Sequence, residues 1–436
     1  MVNLREASEG ILDLKEKWLQ PLLIHGLMAI SFFIAFGHIH NLLEYGFFTL
    51  LLIWTVSLWM DRRLNLEGLN RFQRTSLDYP ILFFLVWILV TIPWAIDPAY
   101  SFSEWRKTLA KILMFYFVVN VVKTPDEVKK ILNAFLLGLV TLSVIGLVIF
   151  FSDGRYYLFQ LDEKLESWTS GSQWFSTFLL MAVPFWVFSF TFESKFSLRA
   201  CYGIGFAITF VALLATHTRA AYLAVLAQGV LYLLLRHLRS GVMISGIVIL
   251  SFGLFMGSLF FLSQHPSYSL TQLEVISSSV NGKQSRVETL QNMGSMQRRF
   301  ATWSIALEDF LDNPLTGLGY GQRSFEMQHP EIGHQEFIHK NVHNSFLQKL
   351  VQSGVPGALL FALIFVMFFR TVFEVVKWQS RSFDRGLALS SMAMVLGVMV
   401  RNMFDDMFLG NLVYLFWLLL GLTFCLGNEQ KGKGSS

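Results

Sequence analysis

Charged residues are scarce in this chain, and their scarcity indicates the class of protein. Only 15% of the 436 residues are charged, whereas 54% are hydrophobic and 15% are aromatic. A soluble protein carries roughly 25% charged residues. The composition therefore predicts a polytopic membrane protein, and the small net charge of +4 gives no indication of nucleic-acid binding.

Two further absences exclude whole classes of chemistry. Cysteines occur only at Cys201 and Cys425, both in apolar surroundings and without a C-x-x-C spacing, so we expect core or lipid-facing residues rather than disulfides. No G-x-x-x-x-G-K-[ST] motif is present, and no predicted cytoplasmic loop is long enough to hold a nucleotide-binding domain. Any reaction must then run without ATP hydrolysis by this chain.

Long apolar segments are abundant instead. A bilayer core of about 30 Å needs about 20 apolar residues for each helical span. The hydrophobic pattern on this basis predicts an all-α polytopic membrane protein with about twelve transmembrane helices. The predicted spans are 20–36, 46–60, 79–96, 109–122, 128–152, 173–192, 198–216, 220–236, 241–263, 355–376, 386–404 and 408–427.

The distribution of Lys and Arg predicts the orientation of these spans. More than half of the 34 basic side chains fall in alternate connections and at both termini, which the positive-inside rule places in the cytoplasm. The polar N-terminus also favours an uncleaved first span over a cleavable signal peptide. The predicted domains are a cytoplasmic N-terminus (1–19), spans one to nine (20–263), a long outward loop (264–354), spans ten to twelve (355–427) and a cytoplasmic tail (428–436).

Candidate functional residues concentrate in one outward stretch, from Met296 to Gly357. Its first part, Arg299 to Leu311, has apolar residues at helical spacing, and the proline of the segment Asn313-Pro-Leu-Thr-Gly-Leu-Gly-Tyr-Gly321 ends that helix. The alternating glycines of that segment have two interpretations. They could turn backbone N–H groups toward an anion, but a tight loop packed on the membrane face is favoured, since no strand precedes them.

His343 stands at the start of a predicted short helix near the membrane. Asn344 and Ser345 are good helix-opening residues, Gly354 is a typical helix stop, and Pro356 suits the first turn of span ten. The positive end of a helix dipole favours a neutral imidazole that can accept a proton. His343 is therefore a candidate general base, although a single histidine more often serves a structural role.

Arginines supply the other candidates. Arg219 lies in a short outward connection, where a charge at the edge of the hydrocarbon core indicates either a functional group or an anchoring residue. Arg298 and Arg299 begin the amphipathic helix, where they could also be surface charges. The planar guanidinium can bind two phosphate oxygens at once, which favours anion binding. Asp405 and Asp406 could orient an arginine or the histidine, or could be interfacial carboxylates near Arg401.

Two other classes of function, a metal site and a transporter, are less well supported by the sequence. His334, His339 and His343 include an i, i+4 pair that zinc could accept, but no H-E-x-x-H motif or third-ligand spacing supports a metal site. A transporter of lipid-linked sugars would carry ionisable or broken-helix features near the bilayer midplane. The predicted spans are nearly free of charge, which favours chemistry at one membrane face over translocation.

These motifs together resemble the O-antigen ligase/polymerase superfamily. The resemblance rests on Arg219 followed by Ala, Arg299 four residues before Trp303, Asn313-Pro-Leu-x-Gly-x-Gly, and His343-Asn-x-x-Leu with Gly354-x-x-Gly357. Twelve spans with a long outward loop before the last three resemble the ligase branch.

The resemblance implies a glycosyltransferase of the GT-C type on the periplasmic face of a Gram-negative inner membrane, needing no metal, cofactor or nucleotide. The implied donor is polysaccharide on undecaprenyl diphosphate, and the implied acceptor is the lipid A–core. The implied roles are diphosphate binding for Arg219 and Arg299 with Arg298 beside them, and general base for His343. Supporting residues are expected at Asp405, Asp406, Asn344 and His339. An O-antigen polymerase, a protein-directed oligosaccharyltransferase and a sugar transporter remain alternatives.

Overall fold

The fold is helical throughout the part of the chain that the structure covers. The computed structural model describes residues 15–63, 72–153, 158, 171–237, 295–330, 342–378 and 383–425, and every regular element in these ranges is a helix. Six of those helices are long and apolar enough to cross a membrane, and three shorter ones are also apolar. The predicted ninth span, 241–263, lies outside the described residues, so the count of twelve spans stays a prediction.

Among the described residues, eight α-helices precede that segment. They are α1 (Gln20–Phe33), α2 (His40–Arg63), α3 (Asp78–Val90), α4 (Pro98–Val121), α5 (Pro125–Ser152), α6 (Ser172–Phe192), α7 (Phe196–Ala215) and α8 (Arg219–His237). Five α-helices follow it in the part of the chain that the structure describes, namely α9 (Ser295–Asp312), α10 (Ser324–Gln328), α11 (Ser345–Trp378), α12 (Phe383–Asn402) and α13 (Gly410–Phe424).

Helix α4 begins eleven residues before the predicted fourth span, 109–122. The Asp97 side chain accepts a hydrogen bond from the backbone N–H of Tyr100, and Pro98 occupies the first turn. Those are strong helix-starting features. The hydropathy pattern missed the first part of α4 because Glu104 and other charged residues interrupt it there.

Aromatic contacts hold the helices together, while other apolar side chains point outward. Phe115 of α4 meets Trp417 of α13 edge to face, with ring centroids 5.8 Å apart. By contrast, Phe83, Leu226 and Val366 are exposed on α3, α8 and α11. Soluble proteins rarely expose so much contiguous apolar surface. These outward side chains therefore support a multi-pass membrane protein.

The contacts of α12 fix the relative direction of the neighbouring helices. Ser390 donates to the carbonyl oxygen of Pro184, and Gln228, packed against Gly397, donates to that of Leu180. Higher numbers on α12 thus meet lower numbers on α6, so these two helices are antiparallel. Helix α7 connects α6 to α8 through two three-residue segments, 193–195 and 216–218. The Ser172 hydroxyl at the start of α6 donates to the Thr216 carbonyl oxygen just before α8, so α8 runs parallel to α6. The start of α8 and the end of α12 therefore lie at the same end of the bundle.

Helix α11 consists of two helices joined at a break. Gly354 interrupts it with φ 65° and ψ −173°. Nine residues, 345–353, form the short helix predicted after His343, and Pro356 lies in the first turn of the following long helix. The sequence prediction of a short helix, a glycine stop and a new span is confirmed here.

Candidate active site

The backbone around His343 is held from both sides. Trp303 of α9 donates its indole N–H to the carbonyl oxygen of Val342 at 2.8 Å. The N–H of Val342 donates to the Gln348 side chain at 3.0 Å. Asn344 then caps α11, since its side-chain oxygen accepts from two backbone N–H groups of the first turn at 3.0 and 3.1 Å. This framework directs the His343 side chain away from its own helix.

His343 contacts Asp405 directly. Its Nδ1 lies 2.7 Å from Oδ1 of Asp405, and only 15% of the histidine side chain and 4% of the aspartate side chain are exposed. Asp405 lies in the segment 403–409 that joins α12 to α13. The two residues are 62 positions apart in sequence, so tertiary packing alone brings them together.

Asp405 is held in its ionised form. Burial by itself would raise the pKa of this carboxyl, but the hydrogen bond with His343 and the charges of Arg401 and Arg299 hold the pKa well below its ordinary range. The ionised carboxylate accepts the hydrogen bond, so Nδ1 carries the ring proton. When the imidazole is neutral, its lone pair is then on Nε2.

Arg401 is the buried cation beside this carboxylate. It is 1% exposed, and its two terminal nitrogens each lie 3.3 Å from Oδ2 of Asp405. A buried charge is costly unless it is paired. The sequence left open whether Asp405 contacts the histidine or an arginine. In the structure Asp405 contacts both His343 and Arg401, which lies one helical turn before it.

Asp406 joins a second set of contacts. The Ser345 hydroxyl lies 2.7 Å from Oδ1 of Asp406 and 2.7 Å from the side-chain oxygen of Asn402. The N–H of Asp406 also donates to Oδ1 of Asp405 at 3.0 Å. These hydrogen bonds join the start of α11 to the end of α12 next to the His343–Asp405 pair.

Arg299 lies close enough to act electrostatically on this cluster. Its positive charge contributes to lowering the pKa of Asp405. The Nε atom of Arg299 is buried and makes no hydrogen bond within the described ranges. It lies one helical turn before Trp303, the residue that holds Val342, so α9 positions both side chains. The side chain of Arg298 lies outside the described part of the chain.

Arg219 is exposed at the first position of α8. The helix directions given above place it at the same end of the bundle as Asp405 and His343. Among the described residues it makes no hydrogen bond or ion pair with either of them. The structure thus brings Arg219 to the same end of the bundle without joining it to the His343–Asp405 pair.

Three N–H groups of the glycine-rich loop are already bonded to backbone oxygens. The N–H of Gly317 donates to the Asn313 carbonyl oxygen, and those of Leu318 and Gly319 donate to the carbonyl oxygens of Val351 and Gln352. These donors are therefore occupied by the backbone. The favoured interpretation, a tightly packed loop, is confirmed, and it packs against the C-terminal end of the short helix of α11.

Sequence reasoning missed one buried polar pair and the role of Arg401. Nε2 of His329 lies 2.8 Å from Oδ2 of Asp309, which ties α9 to the segment after α10. Nothing in the spacing of those two residues marks them as partners. The contact between Arg401 and Asp405 could have been predicted from the sequence, because residues four apart at a helix end lie on one face.

The metal-site alternative stays untested. Within the described ranges no group of three or more His, Cys, Asp or Glu side chains is arranged to hold a metal ion. His334 and His339, however, both lie outside those ranges.

Comparison with known proteins finds a family model that matches part of the chain. The family model Wzy_C, described as O-antigen ligase, matches residues 204–362. No curated protein matches the chain. The matched segment contains Arg219, Arg299 and His343 and ends before Arg401 and Asp405. The match confirms the resemblance drawn from the sequence motifs, and the family comprises O-antigen ligases and polymerases that act on lipid-linked polysaccharide.

Proposed function

Because residues 204–362 carry the O-antigen ligase domain, we propose that this protein is an O-antigen ligase. It transfers O-antigen polysaccharide from undecaprenyl diphosphate to the lipid A–core. The reaction takes place on the periplasmic face of the inner membrane, with both termini in the cytoplasm. It is an inverting, metal-independent glycosyl transfer of the GT-C type.

The observation that carries this proposal is the contact between His343 and Asp405. A carboxylate that accepts from Nδ1 fixes the tautomer and the orientation of the ring, as the aspartate of a catalytic triad does. Nε2 is then the atom that takes the proton of an attacking hydroxyl. Arg401 and the Asp406–Ser345 contact keep Asp405 in place.

The proposed reaction needs no nucleotide. The acceptor hydroxyl gives its proton to Nε2 of His343 while its oxygen attacks the anomeric carbon of the donor. The bond between that carbon and the phosphate oxygen breaks, and undecaprenyl diphosphate leaves with the electron pair. Attack opposite the leaving group inverts the anomeric centre. General-base catalysis of this kind contributes typically 10²- to 10⁴-fold to the rate.

Arg299 and Arg219 are proposed to bind the diphosphate, with Arg298 beside Arg299. The unbonded, buried Nε of Arg299 supports this role, since such a donor gains a partner when an anion binds. Its proximity to Asp405 would bring the leaving group close to the general base. Positive charge fixed at that position stabilises the developing negative charge of the leaving group.

The test is reconstitution of the purified protein with undecaprenyl-diphosphate glycan and lipid A–core, comparing the wild type with His343→Ala. Glycan transfer to lipid A–core by the wild type alone, without nucleotide or added metal, is the expected result. Chain growth on the donor lipid without transfer to lipid A–core would make the protein a polymerase. Movement of intact donor across the bilayer with neither product would make it a transporter.

A further inference from the structure

A cavity with several polar residues in its wall lies beside Asp406. It plays no part in the mechanism proposed above. Its walls are α4, the loop at 320–322, the first turns of α11 and the segment 406–409. Lys111 and Lys349 both line it, and Tyr320 and Asp406 form part of its wall.

Two lysines facing one cavity are unusual in a membrane protein. Lys111 lies within the predicted fourth span, and no described residue is within hydrogen-bond or ion-pair distance of its ammonium group. Lys349 donates to the side-chain oxygen of Gln352 at 2.9 Å, and its Nζ lies 4.8 Å from the Tyr320 ring centroid. An ionisable residue inside a span indicates a functional site by default.

The carboxylates described in this cavity lie outside ion-pair distance of those lysines. Oε1 of Glu104 is paired with Lys107 at 2.6 Å, and Asp406 is bonded to the Ser345 hydroxyl at 2.7 Å. Within the described ranges, neither Lys111 nor Lys349 has a carboxylate within ion-pair distance. A ligand anion would supply the missing counter-charge, and the two carboxylates could accept hydrogen bonds from sugar hydroxyls.

The remainder of the cavity is apolar. Phe361, Ile364 and Trp417 line it from α11 and α13. A cavity lined by cations, hydroxyl acceptors and large apolar side chains matches an amphiphile with a charged sugar head. A free sugar phosphate would leave the apolar wall without a partner.

The cavity is directly connected to the proposed general base. Asp406 forms part of its wall, and Asp406 and Asp405 are linked by the hydrogen bond of 3.0 Å described above. A molecule bound here would therefore contact Asp406, the residue next to Asp405. Arg219 and Arg299, both proposed to bind the donor, are not among the described residues that line this cavity.

We propose that this cavity binds the acceptor as an anionic glycolipid. Lys111 and Lys349 contact a phosphate of its sugar head, and its apolar part lies along Phe361, Ile364 and Trp417. This inference rests on the proposed function, because it assigns the acceptor of that reaction.

Steady-state kinetics test the assignment. Lys111→Met and Lys349→Met should each raise the acceptor KM about tenfold or more, the loss expected for one charged hydrogen bond. They should leave the donor KM unchanged. With acceptor that has been treated with phosphatase, the two variants should differ little from the wild type. Arg106→Gln is the matched control, because Arg106 is an exposed cation on the same helix that does not line the cavity.

A rise in the donor KM would overturn the proposal, because the lysines would then serve the diphosphate of the donor. An equal loss with phosphatase-treated acceptor would also overturn it, since no anion recognition would be involved. Lys349→Arg keeps the charge and should retain most of the acceptor affinity. Lys111 is partly buried and has no ion-pair partner among the described residues, so Lys111→Met is not expected to impair folding.

A binding measurement without turnover separates this inference from the proposed function. Protein in nanodiscs is mixed with lipid A–core before or after phosphatase treatment, and bound glycolipid is counted by native mass spectrometry. Lysine-dependent binding of the phosphorylated form supports the site even if no transfer product is ever found. Binding that ignores either the phosphate or the two lysines refutes the site even if the protein proves to be a ligase.

Discussion

At the scale of single residues, the backbone of His343 is the most constrained feature of the site. Its φ of 51° lies in the left-handed region, which costs a non-glycine residue about 1–3 kcal/mol. Two contacts hold it there, namely the Trp303 bond to Val342 and the Asn344 cap. This strained conformation is the one in which the imidazole meets Asp405.

Asp405→Asn should lower the transfer rate about 10²- to 10⁴-fold, the full contribution of a general base. An amide keeps the size of the side chain but removes the charge, so it no longer enforces the tautomer with the proton on Nδ1. The donor KM should change little, because Asp405 is not proposed to touch the diphosphate. Initial rates at saturating donor and acceptor check this.

A folding defect must be separated from that chemical effect. Asp405→Asn leaves the charge of Arg401 buried without its carboxylate, which destabilises a protein by about 3–5 kcal/mol. The double variant Asp405→Asn/Arg401→Met removes that charge and should recover thermal stability without recovering activity. If the double variant regains wild-type activity, Asp405 serves the structure alone and the proposed role of His343 loses its support.

The lowered pKa of Asp405 also predicts how its contribution depends on pH. A carboxyl whose pKa is depressed by folding stabilises the native state above its unfolded pKa of about 3.9, and the stabilisation is lost only as pH falls below that value. The difference in melting temperature between the wild type and Asp405→Asn should therefore not narrow from pH 8 to pH 5. Thermal unfolding in detergent measures it, and a clear narrowing by pH 5 would contradict an ionised Asp405.

At the scale of elements, the break in α11 sets the position of the short helix that carries the site. The bend at Gly354 lets the N–H of Val355 donate to the Pro314 carbonyl oxygen at 2.9 Å. The short helix and the glycine-rich loop are thereby fixed to each other.

Gly354→Ala should destabilise the protein by about 1–3 kcal/mol or more, the cost of a strained backbone conformation. Its φ is 65°, and an added Cβ would collide with the backbone oxygen of Leu315, which cannot move aside as a side chain could. Gly229→Ala is the control, because a Cβ there meets nothing within 4 Å. Melting temperatures of both variants decide the matter, and equal values would show that the bend at Gly354 is dispensable.

The link between α9 and the histidine can be tested at Trp303. Trp303→Phe keeps an aromatic ring but loses the indole N–H bond to Val342, worth about 0.5–1.5 kcal/mol. We expect a rate loss larger than this small stability change implies, because His343 is the next residue. Trp94→Phe, at an exposed tryptophan, should affect neither quantity. Unchanged turnover in Trp303→Phe would show that the hydrogen bond from α9 does not position the histidine.

At the scale of the whole molecule, local sequence signals gave the parts of the site but not their assembly. The cap at Asn344, the stop at Gly354 and the following Pro356 were predictable because each acts within a few residues. The helices that coincide with the predicted spans followed from apolar length alone. Such signals report local conformation, so they are visible in one sequence.

The contacts between distant segments were not predictable in the same way. Nothing in the spacing of His343 and Asp405 marks them as partners, because their meeting depends on how α11 packs against the end of α12. The pairing of His329 with Asp309 depends likewise on the packing of α9. Lys111 was overlooked because one charge within an apolar span carries no information about the cavity that it faces. Long-range pairing therefore needs the folded structure.

The bundle also brings Arg219 to the end that holds Arg299 and His343, which leads to the final prediction. Arg219→Lys and Arg299→Lys should each weaken transfer about tenfold or more, since lysine keeps the charge but cannot bind two phosphate oxygens at once. The loss should be in the donor KM rather than the acceptor KM. Arg323→Lys is the matched control, because Arg323 is exposed and already pairs with Glu326 at 3.0 Å. Wild-type donor kinetics in both variants would remove bidentate phosphate binding from the mechanism. A loss at Arg299 alone would restrict the diphosphate site to α9 and make Arg219 an anchoring residue of the bundle.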